Sequence, residues 1–319
     1  LAQSTLMGTV FDSLNGRRPL SGTTVMLLEW KRTTMTDSRG QFRFDSVPAG
    51  AWTLSFRHPA LDLLELTATS TPVALPNDGT TTVELATPST TTLLSRVCPS
   101  IKDSTSGLLF GHVRAVGDGP WLVGARIAAA WRRYTVGRDG VRYQDLRVST
   151  TTNERGVYVL CGVPTDTRAE VTATHNKHDS GLIEAVFETT PIRRRDFAIA
   201  LEDSLFGDVV GVVRFVDRQP VADAELRVQG SERRVRTGLD GRFRFARVPS
   251  GTRGLDARHV GQAPVHVSVD VPVGAEVAID VTFDRAAQRL PTVTVVGSLN
   301  GYRREGFDER SGSKPGFFL

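Results

Sequence analysis

Few residues in this chain have types and spacings that invite chemistry. His175-Asn176-Lys177-His178 sets two imidazoles three residues apart. A zinc site needs three or four ligands, no third follows at a recognisable spacing, and the His-Glu-x-x-His helix of zinc peptidases is absent. Arg310-Ser311-Gly312-Ser313 lacks the strand–turn–helix setting of a Gly-x-Ser-x-Gly nucleophile elbow. Glu202-Asp203, Asp37 and Asp240 fall in linkers and turns without the ligand spacing of a calcium loop. No glycine-rich loop opens a helix to cradle phosphate. Cys98 and Cys161 form no Cys-x-x-Cys redox pair. In an exported chain they would pair, closing a loop of roughly 60 residues; the alternative is two buried free thiols. The expectation is a chain with no catalytic residue, no metal and no cofactor.

Composition narrows the class further. The 319 residues are 39% apolar and 23% charged, with 39 basic and 35 acidic side chains. That length predicts two or three domains. A net charge of +4, spread along the chain, does not indicate a nucleic-acid binder. Ordinary apolar content argues against disorder. No apolar run approaches the ~20 residues of a membrane-spanning helix. Leu1-Ala2-Gln3 reads as the remnant of a cleaved export signal, which predicts an extracytoplasmic chain in the periplasm or at the cell surface.

Three stretches share an ordered set of marks. A strand opens with Gly8-Thr9-Val10, Gly111-His112-Val113 or Gly211-Val212-Val213. A turn then leads into an apolar strand, at Pro19 to Val25, Trp121 to Ile127 and Pro220 to Leu226. The third mark is the sharpest. Thr36-Asp37-Ser38-Arg39-Gly40-Gln41-Phe42-Arg43-Phe44 runs on to Val47-Pro48-Ala49-Gly50. Its counterparts are Thr152 to Leu160 followed by Val163-Pro164, and Thr237 to Phe245 followed by Val248-Pro249-Ser250-Gly251. An acidic or amide residue ahead of glycine predicts a hairpin turn, with glycine at positive φ. Phe-x-Phe, or Tyr-x-Leu, puts two large groups on one face of a strand. Proline ends that strand because it has no N–H for the ladder. About seven short strands per copy and no amphipathic helix predict an all-β chain of β-sandwiches. His58, His175 and His259 hold the same place in the three copies, just after the third strand, which points to a framework role.

The core T-D-x-x-G-x-F/Y-x-F/L-x-x-V-P-x-G resembles the carboxypeptidase regulatory-like domain, a transthyretin-like β-sandwich. The resemblance implies three tandem sandwiches and a mostly non-catalytic role. The second copy departs from it: Asn153 replaces the aspartate, Thr165-Asp166 replaces the x-Gly end, and an insertion runs from about Trp131 to Leu146. Domains are expected at 1–90, 91–204, with the insertion, and 205–290, followed by an extended tail at 291–319. Pro88-Ser89-Thr90-Thr91-Thr92 is expected to be a polar linker, and Glu202-Asp203-Ser204 to join the second and third sandwiches. Leu290 to Gly297 is similar to the junction that precedes the plug of TonB-dependent receptors. Some related sandwiches form Lys–Asn isopeptide bonds; the third copy has no lysine, and none is expected in the others.

What remains is a structural role. Such a chain is expected to be a non-enzymatic, extracytoplasmic scaffold subunit, peripheral to a membrane. It would dock on protein subunits of a larger membrane-embedded assembly, with a photosynthetic reaction-centre and antenna complex as one host. Val293 and Val295 would add a strand to a partner. Tyr302, Phe307, Phe317 and Phe318 would anchor in its pockets, with Arg303, Arg304 and Arg310 as a polar rim. The alternative is that this tail is disordered or belongs to a longer protein. Two further readings stay open: a glycan or cell-surface binding module using Trp30 or Trp131, and the amino-terminal part of a TonB-dependent outer-membrane receptor. Arg193-Arg194-Arg195 would contact an acidic partner or lipid headgroups, or form a solvated face.

Overall fold

A computed structural model describes residues 3–284, apart from 14–16, 58–61, 65–67, 102, 104, 138–139 and 188–189. The chain is almost wholly β and forms tandem sandwiches, as the copies lead one to expect. In each, the opening strand (Gln3–Asp12, Ser106–Ala115, Phe206–Phe215) runs between two neighbours. The antiparallel neighbour carries the paired large residues: Gln41–Pro48, Val157–Pro164 or Arg242–Pro249. The parallel neighbour is the closing strand: Gly79–Ala86, Phe197–Ile199 or Glu276–Phe283. This explains the glycine of Gly-x-Val. A Cβ at Gly8, Gly111 or Gly211 would overlap the carbonyl oxygen of Val83, Arg195 or Ile279 on the parallel neighbour.

Each sandwich is cornered by one buried threonine. Thr36 Oγ1 donates to Leu20 O (2.6 Å) and accepts from Thr23 N (2.9 Å). Thr152 Oγ1 joins Leu122 O (2.5 Å) and Ala125 N (2.9 Å) in the same way. Thr237 Oγ1 does so with Val221 O (2.6 Å) and Ala224 N (2.9 Å). In each case the hydroxyl stands between the first carbonyl and the fourth N–H of a four-residue turn, where the turn's own closing bond would run. Four residues on, Gly40, Gly156 and Gly241 adopt φ of 72°, 68° and 73°. Their carbonyls accept from Val10, Val113 and Val213 N–H on the opening strand. Asp37 and Asn153 close this turn with Oδ1, each accepting two backbone N–H groups. In the third copy the acid has moved next to the glycine, and Asp240 accepts Arg242 N through Oδ1 and lies 3.4 Å from Arg242 Nε through Oδ2.

The segment Pro88 to Thr92 is not a free linker. Ser89 accepts from Thr92 N as the N-cap of a helix, Thr90–Val97, which seats Leu93 fully in the first core. This is a short amphipathic helix that the apolar pattern did not announce: its inward stripe is only Leu93, Leu94 and Val97, too few for a periodicity to register. The first core also takes in Leu108, Phe110 and Val157 from the second sandwich. These two sandwiches therefore share one apolar interior. The second and third share a sheet instead. Ile199 pairs with Gly251, and Ala198 N donates to the buried Thr252 hydroxyl (2.9 Å), which in turn donates to Asp270 Oδ1 (2.6 Å).

The insertion in the second copy is a long hairpin, Arg126–Gly137 and Gly140–Thr151. Its base pairs with Ala169–His175 through Arg126 to Ala130.

Thr237→Val keeps the shape of the side chain but orphans a buried N–H and a buried carbonyl. By differential scanning calorimetry it should destabilise the third sandwich by about 3 kcal/mol, while Thr237→Ser should remain within about 1 kcal/mol of the native chain. Equal losses in the two variants would show that the hydroxyl does not hold the corner.

Candidate functional site

Cys98, at the end of the helix, is bonded to Cys161, in the Tyr-x-Leu strand, across 63 residues of sequence with Cα atoms 5.7 Å apart. The bond ties the inter-sandwich helix to the second sandwich beside the shared first core.

The histidines are scattered. His175 and His178 face each other across a tight strand pair, and His178 Nδ1 lies 3.4 Å from Asp203 Oδ1. His259 sits beside Phe215 and Phe283, with ring centroids 6.1 and 6.2 Å away. His58 lies outside the described residues. Among the described residues, no group of three or more His, Cys, Asp or Glu is placed to hold a metal. His112 stacks on Trp121 at 4.3 Å, with Nδ1 4.0 Å from Asp196 Oδ1. Burial pushes its imidazole below the ordinary 6.5; Asp196 opposes this, while Arg194 and Arg155 add to it.

Of the two tryptophans proposed for glycans, Trp131 packs against the second core. Trp30 is exposed, 5.8 Å from Trp52, with the Arg32 guanidinium 5.0 Å from its ring. The arginine run is divided: Arg194 pairs with Asp196 (2.8 Å), Arg193 donates to Val186 O, and Arg195 is half-buried. Val293, Val295, Tyr302, Arg303, Arg304, Phe307, Arg310, Phe317 and Phe318 lie outside the described residues.

One polar cluster was invisible in the sequence, and it lies where the second and third sandwiches meet. Arg168 and Glu184 come from the second; Gln229, Asp256 and His266 come from the third. Arg168 Nη1 is 2.8 Å from His266 Nε2. A guanidinium only donates, so Nε2 accepts and the ring proton resides on Nδ1. That nitrogen is 2.6 Å from Asp256 Oδ1 and 3.4 Å from Glu184 Oε2. Gln229 Nε2 donates to the same Asp256 oxygen (2.6 Å), and Arg168 Nε is 3.3 Å from Glu184 Oε1. A His flanked by acids resembles a general-base pair, but here the nitrogen that would take a proton is covered by a cation. The arrangement is an inter-sandwich tie. Arg253 adds a second one: its guanidinium donates to Pro249 O and Ser250 O, and reaches Asp179 across the boundary at 3.5 Å. Burial lowers its affinity for its proton, against the pull of Asp179. Partners up to 98 residues apart leave no local signal in a sequence.

The sequence profile of the carboxypeptidase regulatory-like domain matches residues 5–88 and 208–284. No curated protein sequence matches the chain. Among solved structures, the Bacillus anthracis TIE protein is 14% identical, with a TM-score of 0.23, over 88% of this chain and 51% of that one. This chain thus spans about half the length of that protein. The shaft pilin SpaA of Lactobacillus rhamnosus GG is 12% identical over 62% of this chain and 97% of that one, with a TM-score of 0.23. The minor pilin GBS52 of Streptococcus agalactiae is 13% identical over 60% of this chain and 100% of that one, with a TM-score of 0.23.

Replacing both cysteines by serine should lower stability in chemical unfolding by about 4 kcal/mol, the chain-entropy value for a loop of 63 residues. A loss near zero would mean that the helix and the second sandwich hold together without the bond. For His112, the unfolded chain binds a proton more readily than the folded one, so stability falls as pH drops below 6.5. His112→Gln should flatten that part of the curve of Tm against pH. An unchanged slope would show that the imidazole is not the group responsible.

Proposed function

Because the chain belongs to the carboxypeptidase regulatory-like domain family, we propose that it is a non-enzymatic extracytoplasmic structural subunit that docks on a larger membrane-associated protein assembly. The observation that carries this reading is how the polar groups at the second boundary are spent. Arg168, Glu184, Asp256 and His266 bind one another across the junction of two sandwiches, so their charges are spent on holding the boundary, while Arg253 lines a cleft there with its guanidinium held by Pro249 O, Ser250 O and Asp179. A shared core and a shared sheet make consecutive sandwiches into a stiff spacer suited to presenting surfaces at fixed separations. The Cys98–Cys161 bond supports an oxidising compartment. Among the described residues no helix is long and apolar enough to cross a membrane.

In this reading the tail docks, with Val293 and Val295 adding a strand, the aromatic residues Tyr302, Phe307, Phe317 and Phe318 as anchors, and Arg303, Arg304 and Arg310 around them. A photosynthetic reaction-centre complex is one such host; the alternative is that the chain is the amino-terminal part of a TonB-dependent outer-membrane receptor. A second reading, glycan binding, rests on the exposed Trp30 beside Trp52 and under Arg32.

The test is a pull-down from the source membrane in mild detergent, using the full chain and a chain lacking residues 298–319. Loss of the partner subunits on truncation is the expected result. Recovery of the same partners without the tail would refute its docking role. Glycan-array binding abolished by Trp30→Ala would favour the second reading.

A further inference from the structure

The long hairpin of the second sandwich has no counterpart in the other two. The equivalent arms there are short: Thr24–Leu27 with Arg32–Met35, and Glu225–Val228 with Arg234–Arg236. In the second, the arms reach twelve residues each. Only Arg126 to Ala130 pairs with a third strand. Beyond that the two arms pair solely with each other, Trp131 with Leu146 and so on to Gly137 with Gly140.

Strand alternation sorts the side chains of this ribbon onto two faces. One carries three cross-strand rungs: Arg132 opposite Asp145, Tyr134 opposite Tyr143, and Val136 opposite Val141. Arg132 and Asp145 are joined at 2.7 Å, and the Arg132 guanidinium also lies 4.5 Å from the Tyr143 ring. The other two rungs lie mostly open to solvent. Tyr134 and Tyr143 are 62% and 64% exposed, and Val136 and Val141 are 81% and 64% exposed. The reverse face places Arg133 and Arg142 behind the tyrosines.

Charge is concentrated here as well. Residues 126–147 contain Arg126, Arg132, Arg133, Arg138, Arg142 and Arg147 against Asp139 and Asp145. The excess of six over two equals the +4 of the entire chain. A two-stranded ribbon is marginal by itself in water, and one that exposes two tyrosines and two valines needs a surface to meet.

We propose that this hairpin is a membrane-surface anchor that lays its Tyr134/Tyr143 and Val136/Val141 face into the headgroup region of an anionic lipid bilayer. Among the three paired rungs the aliphatic one is farthest from the sandwich, the aromatic one next and the Arg–Asp pair nearest, and the sequence beyond them is the charged Arg138-Asp139, so the ribbon suits lying flat among headgroups with its apolar side down rather than entering tip-first. The long stems of Arg133 and Arg142 reach past the ribbon edge to headgroup phosphates. The positive excess selects an anionic surface over a neutral one. The inference stands apart from tail docking, because lipid vesicles contain no protein partner.

The experiment is co-sedimentation of the full chain with vesicles of phosphatidylcholine alone, and of phosphatidylcholine mixed with phosphatidylglycerol, at low and high salt. Partition to the mixed vesicles should exceed partition to the neutral ones, and should weaken as salt screens the arginines. Tyr134→Ser, Tyr143→Ser, Val136→Ser and Val141→Ser together should reduce binding at least about tenfold, since anchoring scales with buried apolar area. Arg133→Gln with Arg142→Gln should remove the preference for anionic lipid. All six side chains are exposed, and unchanged melting curves verify that the variants fold. Failure of the native chain to bind mixed vesicles, or undiminished binding by the four-serine variant, would overturn the proposal. A native chain that ignores vesicles but loses a membrane protein in the pull-down when the four serines are introduced would overturn it in favour of a protein surface.

Discussion

In each sandwich a buried threonine hydroxyl accepts one backbone N–H and donates its own O–H to one backbone carbonyl, at the turn that joins the opening strand to the facing sheet. In the second and third sandwiches both backbone groups are buried, in the first the N–H is buried and the carbonyl partly so, and an unmade bond at a buried group would cost about 1–3 kcal/mol. The hydroxyl is therefore the condition under which the turn can be buried at all. The neighbouring glycine turn then lays its carbonyl on the opening strand at Val10, Val113 or Val213, so one short peptide fixes both sheets. The same bonds hold at Thr36 and Thr237, 16 residues from the carbonyl each binds, and at Thr152, where the hairpin insertion stretches that separation to 30.

With each sandwich held from within, the surfaces between them are free to fuse. The first boundary is apolar: the helix and the outer side of the second sandwich complete the first core. The second is polar and hydrogen-bonded, and runs through a shared sheet edge, Thr252, Arg253 and the His266 cluster. The difference has physical consequences. The first junction is held by area removed from water, whereas the second depends on the geometry of particular hydrogen-bonded side chains.

Much of the fold was legible in the sequence, because alternation and turn chemistry are local. Phe42 with Phe44, and Phe243 with Phe245, point inward as their spacing requires. Gly40, Gly156 and Gly241 occupy positive φ as their place in the turn requires. Threonine headed the repeated peptide in every copy, yet its hydroxyl bonds to residues 13 to 30 positions earlier, and no spacing rule discloses that. The helix was hidden because three apolar residues in a threonine-rich stretch look like a linker until Leu93 has a core to enter. The polar tie at the second boundary was hidden for a stricter reason: its members belong to different copies. The hairpin insertion was visible as extra length, but not its unsupported face, which depends on which strand stops pairing at Ala130.

The most direct measurement is residue-resolved native-state hydrogen exchange on the amides of Thr23, Ala125 and Ala224, the three that donate to the corner hydroxyls. All three should exchange only with unfolding of their whole sandwich, at the same free energy as the opening-strand amides of Val10, Val113 and Val213. Exchange by local fraying, markedly faster than those strand amides, would contradict the threonine corner as the element on which each sandwich depends.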